Sequence, residues 1–388
     1  MLRARTAVVA VFAANGIAFA AFLSRTPALR DDLGLSTAEL GLLLLCLSGG
    51  AVVGLPLSGP IVQRVGPTHA VAGGAITVSV GLAALAAALF AGSVPPAALG
   101  LAVTGLGMGV WDVAMNVEGA AVERRLERSL LPRLHAAFSL GTVGGALLGA
   151  AGAAAGVALS VQVLAVGLAA PLAAVVAARS FLPGHVQVLP DERGTRALGA
   201  WREPRTLLIG LLVLAFAFTE GTANDWIAVA LVDGYETSEA AGALAFGVFV
   251  SAMTAGRLFG GQAVDRLGRV VVLRATAALA LAGLLLVVLG DAPAVALAGA
   301  ALWGLGASLG FPVGISAAAD VPARAAARVS VVTTIGYTAF LAGPPLIGLL
   351  AETSGILRAL VVTVGALVLG LVLAGVARPL SPGRARAS

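Results

Sequence analysis

The sequence predicts an all-α membrane protein of twelve transmembrane helices, built as two parallel six-helix repeats, and three observations lead there. Apolar residues make up 59% of the 388-residue chain and charged residues 11%. Soluble domains carry about 25% charged residues, so this chain has too little charge to cover a water-facing surface. The apolar residues also fall into twelve continuous runs, near 7–24, 40–62, 70–92, 95–117, 135–157, 159–178, 207–230, 240–261, 271–289, 293–315, 329–350 and 356–377. Each is close to the roughly 20 residues a helix needs to cross a bilayer, and none alternates as a barrel strand would. Finally, all 24 basic residues are arginines, and only Arg25, Arg30 and Arg358 fall on the side away from the N-terminus when the runs alternate. That asymmetry marks the side of both termini as cytoplasmic. A soluble enzyme, a disordered chain and a fibrous protein are excluded together.

The first run follows Arg3 and Arg5, as the core of a secretory leader would. It is read as a span, because removing it would leave eleven runs and upset the arginine asymmetry. Asn15 and Phe19 lie four apart on it and share a face. Between the second and third runs lies Gly59-Pro-Ile-Val-Gln63-Arg64-Val-Gly66. The fourth run carries Trp111 and Asp112, with Asn116 one turn on and Glu118 after it. Arg133 and His135 open the fifth run, and Ser139 lies one turn past His135. A pair between Asp112 and Arg133 or His135 would neutralise a half-buried charge and form an inner gate.

Segment 179–206 is rich in Pro, Gly and Arg and has no long apolar run, so it is read as a cytoplasmic linker. A short surface helix is expected around Ala197–Arg202. The linker divides the chain into a bundle at 1–178 and another at 207–380, with a disordered tail at 381–388. The seventh run contains Phe-Ala-Phe-Thr-Glu220-Gly-Thr-Ala-Asn224-Asp225-Trp226. A carboxylate that far inside a span is expensive unless it faces a cavity or a partner. Glu220 and Asn224 share a helix face and are read as lining a solute or proton route; a structural hydrogen bond is the alternative for Glu220. Asp225 is an added binding group or a helix-end anion, and Trp226 a stacking surface or an interfacial anchor. The eighth run ends in Gly261-Gln-Ala-Val-Asp265-Arg266-Leu-Gly268-Arg269. In the later runs, Pro312 and Pro344-Pro345 are expected to bend or interrupt their helices.

The halves echo one another. Gly59–Gly66 and Gly261–Gly268 lie about 202 positions apart, and Gly105-Leu-Gly107 recurs as Gly304-Leu-Gly306, 199 positions on. Similar offsets at separate places point to a duplicated unit. An even number of spans per unit makes the copies parallel. With the loop at Gly261–Arg269, the chain resembles the major facilitator superfamily. Gly105–Glu118 and His135–Gly145 are loosely similar to its fucose-permease-like and sugar-permease-like bacterial branches. The first loop copy departs from the pattern, with Gln63 at the usual Asp place and Pro67 at the final basic place. The arginine found in the fourth helix of many proton-driven drug exporters is absent, Asp112 being the charge there. The resemblance implies a gating role for Gly261, Asp265, Arg266, Gly268 and Arg269, and a weaker one for Gln63 and Arg64. Asp265 would bind Arg266 or Arg269, or cap a neighbouring helix, when the cytoplasmic side is closed.

The expected function is secondary transport of a small polar solute by alternating access, with protons as coupling ions, in a bacterial inner membrane and as a monomer. Drug or metabolite efflux on the same fold, or a non-transporting membrane sensor or scaffold, is the alternative. No enzyme is expected, since no nucleophile and base are paired. No cofactor or metal is expected either: Cys46 is the lone cysteine, and His69, His135 and His185 are scattered. Without lysine there is no nucleotide-binding P-loop. The net charge of +5 is spread between the apolar runs and so does not suggest nucleic acid as a partner.

Overall fold

A computed structural model describes residues 1–126, 130–182, 199–321 and 324–379. Most of the linker and the tail lie outside those residues; of the surface helix expected around Ala197–Arg202, 197–198 also lie outside them, 199–200 are helical and 201–202 form a turn. The described residues form helices joined by short turns, without a strand. In chain order they are α1 (Leu2–Leu23), α2 (Thr26–Asp32), α3 (Thr37–Ala91), α4 (Val94–Leu126), α5 (Leu131–Ala154), α6 (Leu159–Ala178), α7 (Pro204–Gly234) and α8 (Glu239–Leu267). Then follow α9 (Arg269–Leu289), α10 (Pro293–Ala307), α11 (Gly310–Ala318), α12 (Ala325–Ser354), α13 (Ile356–Ala359), α14 (Val362–Leu373) and a 3-10 turn at Ala374–Ala377. Among the described residues, eleven helical segments are long and apolar enough to cross a membrane. The 55-residue α3 counts twice, because its backbone leaves the helical region at Gly66 (φ 78°, ψ 163°). Twelve crossings result.

The two arms of α3 pack on α4 in opposite directions. A Cβ placed on Gly50 would meet Ala102, and one on Gly54 would meet Leu106, so the first arm runs with α4. Gly81 faces Thr104 and Gly74 faces Trp111, so the second arm runs against it. Helices that share a lipid solvent gain nothing from apolar burial alone. They associate through close van der Waals contact, which small residues permit. At Gly105 a Cβ would lie 1.9 Å from the carbonyl oxygen of Leu47, and at Gly304 a Cβ would lie 2.2 Å from that of Phe249. Leu47 and Phe249 are themselves 202 positions apart, so the duplication read from the glycines is a duplication of helix contacts.

The turns repeat as well. Gly268, between α8 and α9, has φ 79° and ψ 156°, nearly the backbone of Gly66. Only glycine holds a positive φ without steric strain. Ser36 caps α3, accepting from the Glu39 amide, while Glu39 accepts in return from the Ser36 amide. Ser238, 202 positions later, caps α8 by accepting from the Ala241 amide. The first repeat (α1–α6) and the second (α7 onward) touch mainly through α3 with α12 and α5 with α8. Alternation of the crossings puts Met1 and the end of the described chain on one face of the bundle, here the terminal face, and the α2 turn on the opposite one.

One arginine departs from the sequence reading. Arg257 belongs to the set assigned to the terminal side, yet it sits inside α8, ten residues before its end at Leu267. A half-buried charge inside a span needs a partner, and it has one.

Candidate functional site

Glu220 stands near the middle of α7, and Arg257 at similar depth on the antiparallel α8. Nη2 of Arg257 donates to both Glu220 carboxylate oxygens, at 2.9 and 3.0 Å. The guanidinium is anchored from behind by Pro312. Proline has no N–H, so the carbonyl of Ser308, four residues earlier, lacks its helical donor. Arg257 Nε donates to it at 3.4 Å. The chain is interrupted there, α10 ending at Ala307 and α11 starting at Gly310. Thus a sequence-predicted helix break helps to aim an arginine that the sequence reading had placed elsewhere. Pro344 and Pro345, by contrast, leave α12 continuous.

Arg257 faces a cavity of about 710 Å³ between the repeats. From the first repeat, His135 and Ser139 line it, one helical turn apart on α5. His135 packs edge-on against Phe12 at 5.5 Å and lies within electrostatic reach of Arg257. From the second repeat, Thr254, Gly261, Asp265 and Arg269 continue the wall to the terminal face. Phe19 reaches the same region through Phe138, at 6.5 Å between ring centres.

Asp112 pairs with neither Arg133 nor His135: among the described residues its one polar partner is Asn116, whose amide donates to the Asp112 backbone oxygen at 2.9 Å and to its carboxylate at 3.4 Å. Arg133 is exposed and makes no ion pair with a described residue. The expected gate therefore does not form in this conformation, because Arg133 stays at the start of α5, while Asp112 lies about four turns before the end of α4. Tyr337 on α12 does reach Asp112: it lies within electrostatic range of both that group and Glu220. Its ring is the middle member of a row with Phe311 and Phe340, 6.1 Å from each. Neither Tyr337 nor the Arg257 partnership was found from sequence. The signal for the pair was available, since Glu220 and Arg257 fall at comparable distances from the turn that joins their runs. No signal in one sequence distinguishes Tyr337 from an ordinary packed tyrosine.

The remaining expected residues separate. Asn15 is 4% exposed and its side-chain amide nitrogen has no hydrogen-bond partner. Asn224 is buried one turn from Glu220, and Asp225 is half-buried. Trp226 is fully buried against Gly348, so it is open neither to the cavity nor to lipid headgroups. At the loop motif, Arg269 is held, but not by Asp265. Its Nη1 donates to Asp320 at 2.6 Å and its Nη2 to Ser316 at 3.0 Å, while Arg205 holds the other Asp320 oxygen at 2.8 Å. Asp265, Arg266, Gln63 and Arg64 are exposed and form no ion pair with a described residue. Asp265 thus lacks the partners expected when the terminal face is closed.

The opposite face is closed. Arg25, 3% exposed, makes a two-pronged ion pair with Glu239, and also donates to the Val157 carbonyl at 2.7 Å and to Gln162 at 3.1 Å. Arg30 pairs with Asp233. Glu352 accepts from the Thr37 hydroxyl at 3.0 Å and from the Ala38 amide at 3.3 Å. Each of the three joins one repeat to the other. The ion pairs Arg25–Glu239 and Arg30–Asp233 thus tie the repeats together on this face.

Two repeats, shut on one face by ion pairs and parted on the other over a charged cavity, form the architecture of a transporter seen with one side open. The profile of the Major Facilitator Superfamily matches residues 6–338 and 209–388. The chain belongs to the major facilitator superfamily. It is 32% identical over 348 residues to the uncharacterized transporter y4wD of Sinorhizobium fredii (strain NBRC 101917 / NGR234), covering 89% of this chain and 91% of that one. It is 31% identical over 346 residues to an uncharacterized MFS-type transporter of Yersinia pestis, covering 88% and 87%. Among solved structures, a crystal structure of the nucleoside transporter NupG superposes with a TM-score of 0.81 at 14% identity, over 96% of this chain and 99% of that one. That likeness concerns the fold. As a member of this superfamily, the chain is a multi-pass membrane transporter.

Proposed function

We propose that the protein moves a small polar solute by alternating access, as a secondary active transporter coupled to protons. The observation that carries this reading is the cross-repeat contact pattern: ion pairs join the repeats on one face, while the cavity beneath Arg257 leads to the other. Rocking of the repeats would break the first set and close the second. We assign the terminal face to the cytoplasm from the arginine asymmetry, in a bacterial inner membrane, and divide the chain into bundles at 1–178 and 207–380 around the linker. The solute would occupy the cavity beside His135 and Ser139, with Glu220 behind Arg257; Asn224, Asn15, Phe19, Asp112 and Asn116, which do not line it in this conformation, would flank the route as the repeats rock. The loop from Gly261 to Arg269 would act when the cytoplasmic side shuts.

Glu220 is the proposed coupling carboxylate. It meets Arg257 through both carboxylate oxygens in this conformation, and loss of that partner as the repeats rock would change the charge balance at mid-span. The test uses proteoliposomes loaded with a solute panel and given a pH step. Wild type should accumulate its solute against a gradient. Glu220→Gln should lose accumulation while still exchanging labelled for unlabelled solute. A Gln variant that accumulates solute with the wild-type pH dependence removes Glu220 from the coupling role.

A further inference from the structure

Resting on the transport reading, we infer that the solute carries a carboxylate, held between Arg257 of the second repeat and His135 of the first, and that Glu220 surrenders Arg257 to it on taking a proton. The argument begins with which atoms face the cavity. Arg257 and His135 line it and Glu220 does not. Around Arg257 the cavity therefore meets hydrogen-bond donors, the guanidinium, the imidazole and the Ser139 hydroxyl, Thr254 donating instead to the Val250 carbonyl; the balancing carboxylate lies behind the guanidinium, and the lining carboxylate of Asp265 sits two helical turns away toward the terminal face. Arg257 spends Nε on Ser308 and Nη2 on Glu220, and among the described hydrogen bonds Nη1 makes none. A planar guanidinium binds carboxylates in a two-pronged manner, and the Glu220 contact uses a single nitrogen. A solute carboxylate approaching from the cavity could use both Nη atoms once Glu220 let go.

Charge balance then dictates the coupling. While Glu220 is ionised, it and Arg257 cancel, and a second carboxylate would bring an uncompensated negative charge into a low-dielectric site. Protonated Glu220 leaves the guanidinium without a counter-ion, and the solute restores neutrality. One proton enters with each monoanion, so the loaded and empty carriers bear the same charge. The other titratable groups around Glu220 are Tyr337 on α12 and Asp225 on its own helix. Asp112 on α4 lies within electrostatic range of Tyr337, and His135 on α5 within that of Arg257. One freed guanidinium neutralises one carboxylate, which restricts the class to small monocarboxylates. Phe311, which lines the cavity and begins the row with Tyr337 and Phe340, suits the apolar face of a hydroxylated ring, so a sugar acid matches both the charged and the aromatic lining.

The probes are D-glucuronate, D-gluconate and L-lactate, with D-glucose as the neutral counterpart of glucuronate, and binding is measured calorimetrically on the detergent-purified full chain between pH 5.5 and 7.5. These acids stay ionised across that range, so a pH effect comes from the protein. Glucuronate is expected to bind, glucose to bind at least tenfold more weakly, and glucuronate affinity to fall by up to about tenfold per pH unit as Glu220 ionises. In Glu220→Gln, Arg257 is permanently free, so affinity should match or exceed the wild type at pH 5.5 and exceed it at pH 7.5, keeping only the pH dependence that His135 contributes, which His135→Gln in the same background should remove. Arg257→Lys keeps the charge and loses the planar fork, and should weaken glucuronate more than tenfold; size-exclusion and thermal melting confirm that it remains folded. The proposal is overturned if no carboxylate binds at any pH, if glucose binds as well as glucuronate, or if Glu220→Gln weakens glucuronate binding. Flux in proteoliposomes separates the two readings. Transport of a neutral solute alone leaves alternating access standing and removes the anion, whereas carboxylate binding without flux of any solute removes transport and keeps the site.

Discussion

Replacing Glu239 with Gln should open the face that this conformation holds shut. Arg25 is nearly enclosed, its side chain 4% exposed, whereas that of Glu239 is 29% exposed. Loss of one partner from a fully buried pair costs about 3–5 kcal/mol. Two features reduce that here. Glu239 is partly hydrated, and Arg25 keeps the Val157 carbonyl and the Gln162 amide oxygen as neutral acceptors. About 2–3 kcal/mol remains, close to the worth of one strong charge-assisted hydrogen bond. The pair joins the two repeats, so the loss falls on the conformation in which that face is closed and shifts the equilibrium by roughly 30- to 150-fold. Spin labels at Ala155→Cys and Glu236→Cys, both exposed on this face and in different repeats, with Cys46→Ser as background, report the separation by pulsed electron resonance. The variant should populate a longer distance. A double-mutant cycle with Arg25→Gln completes the test, since the two single effects should not add. An unchanged distance distribution in Glu239→Gln, or strict additivity, would refute the role of this pair as a latch.

Asp320 and Asp265 should behave differently. Asp320→Asn releases Arg205 and Arg269 together and should lower stability by about 2–3 kcal/mol, read as a loss of melting temperature in detergent. Asp265→Asn should leave that melting temperature unchanged, yet shorten the time spent with the terminal face closed in distance measurements across it. Glu203 supplies the pH dependence. Burial pulls its carboxyl upward, but hydrogen bonds from Arg328 and Thr206 and the charge of Arg328 outweigh that and hold it below the ordinary range. A depressed carboxyl contributes stability above the unfolded pKa, near 4.3, and loses it as pH falls through the folded value. Glu203→Gln should therefore cost about 1 kcal/mol at pH 7 and progressively less in acid, as followed by thermal melts across pH. Gly304→Val must force α10 away from the Phe249 carbonyl of α8. It should cost about 1–3 kcal/mol or more by overpacking, visible as a lower melting temperature, with the equivalent Gly105→Val behaving alike.

The sequence by itself determined the architecture, because the bilayer imposes one simple demand. Every backbone polar group must be satisfied within its own segment, so helix number, helix length and the duplication were legible as apolar runs and as glycines at matching offsets. Gly66 and Gly268 were legible for the same reason, since the turn at each helix end demands a backbone conformation that glycine alone holds easily. Glu220 stood out because charge is rare at such depth. Which charges meet was decided by tertiary structure. Arg257 and Glu220 are 37 residues apart, Asp320 gathers arginines from two other helices, and Arg25 reaches Glu239 across 214 positions. Periodicity tells which face a residue occupies, but not the rotation of one helix against another, nor which of several arginines lies within reach of a given carboxylate. The same limit explains Asp112, Asp265 and Trp226. Their local signals were sound, but the partners expected for the first two lie elsewhere, and the third is sealed by a neighbouring helix. Partner choice depends on how the repeats are set against each other. In a transporter that setting changes with conformation, so it is encoded in differences between packed states and not in the local pattern of any one segment.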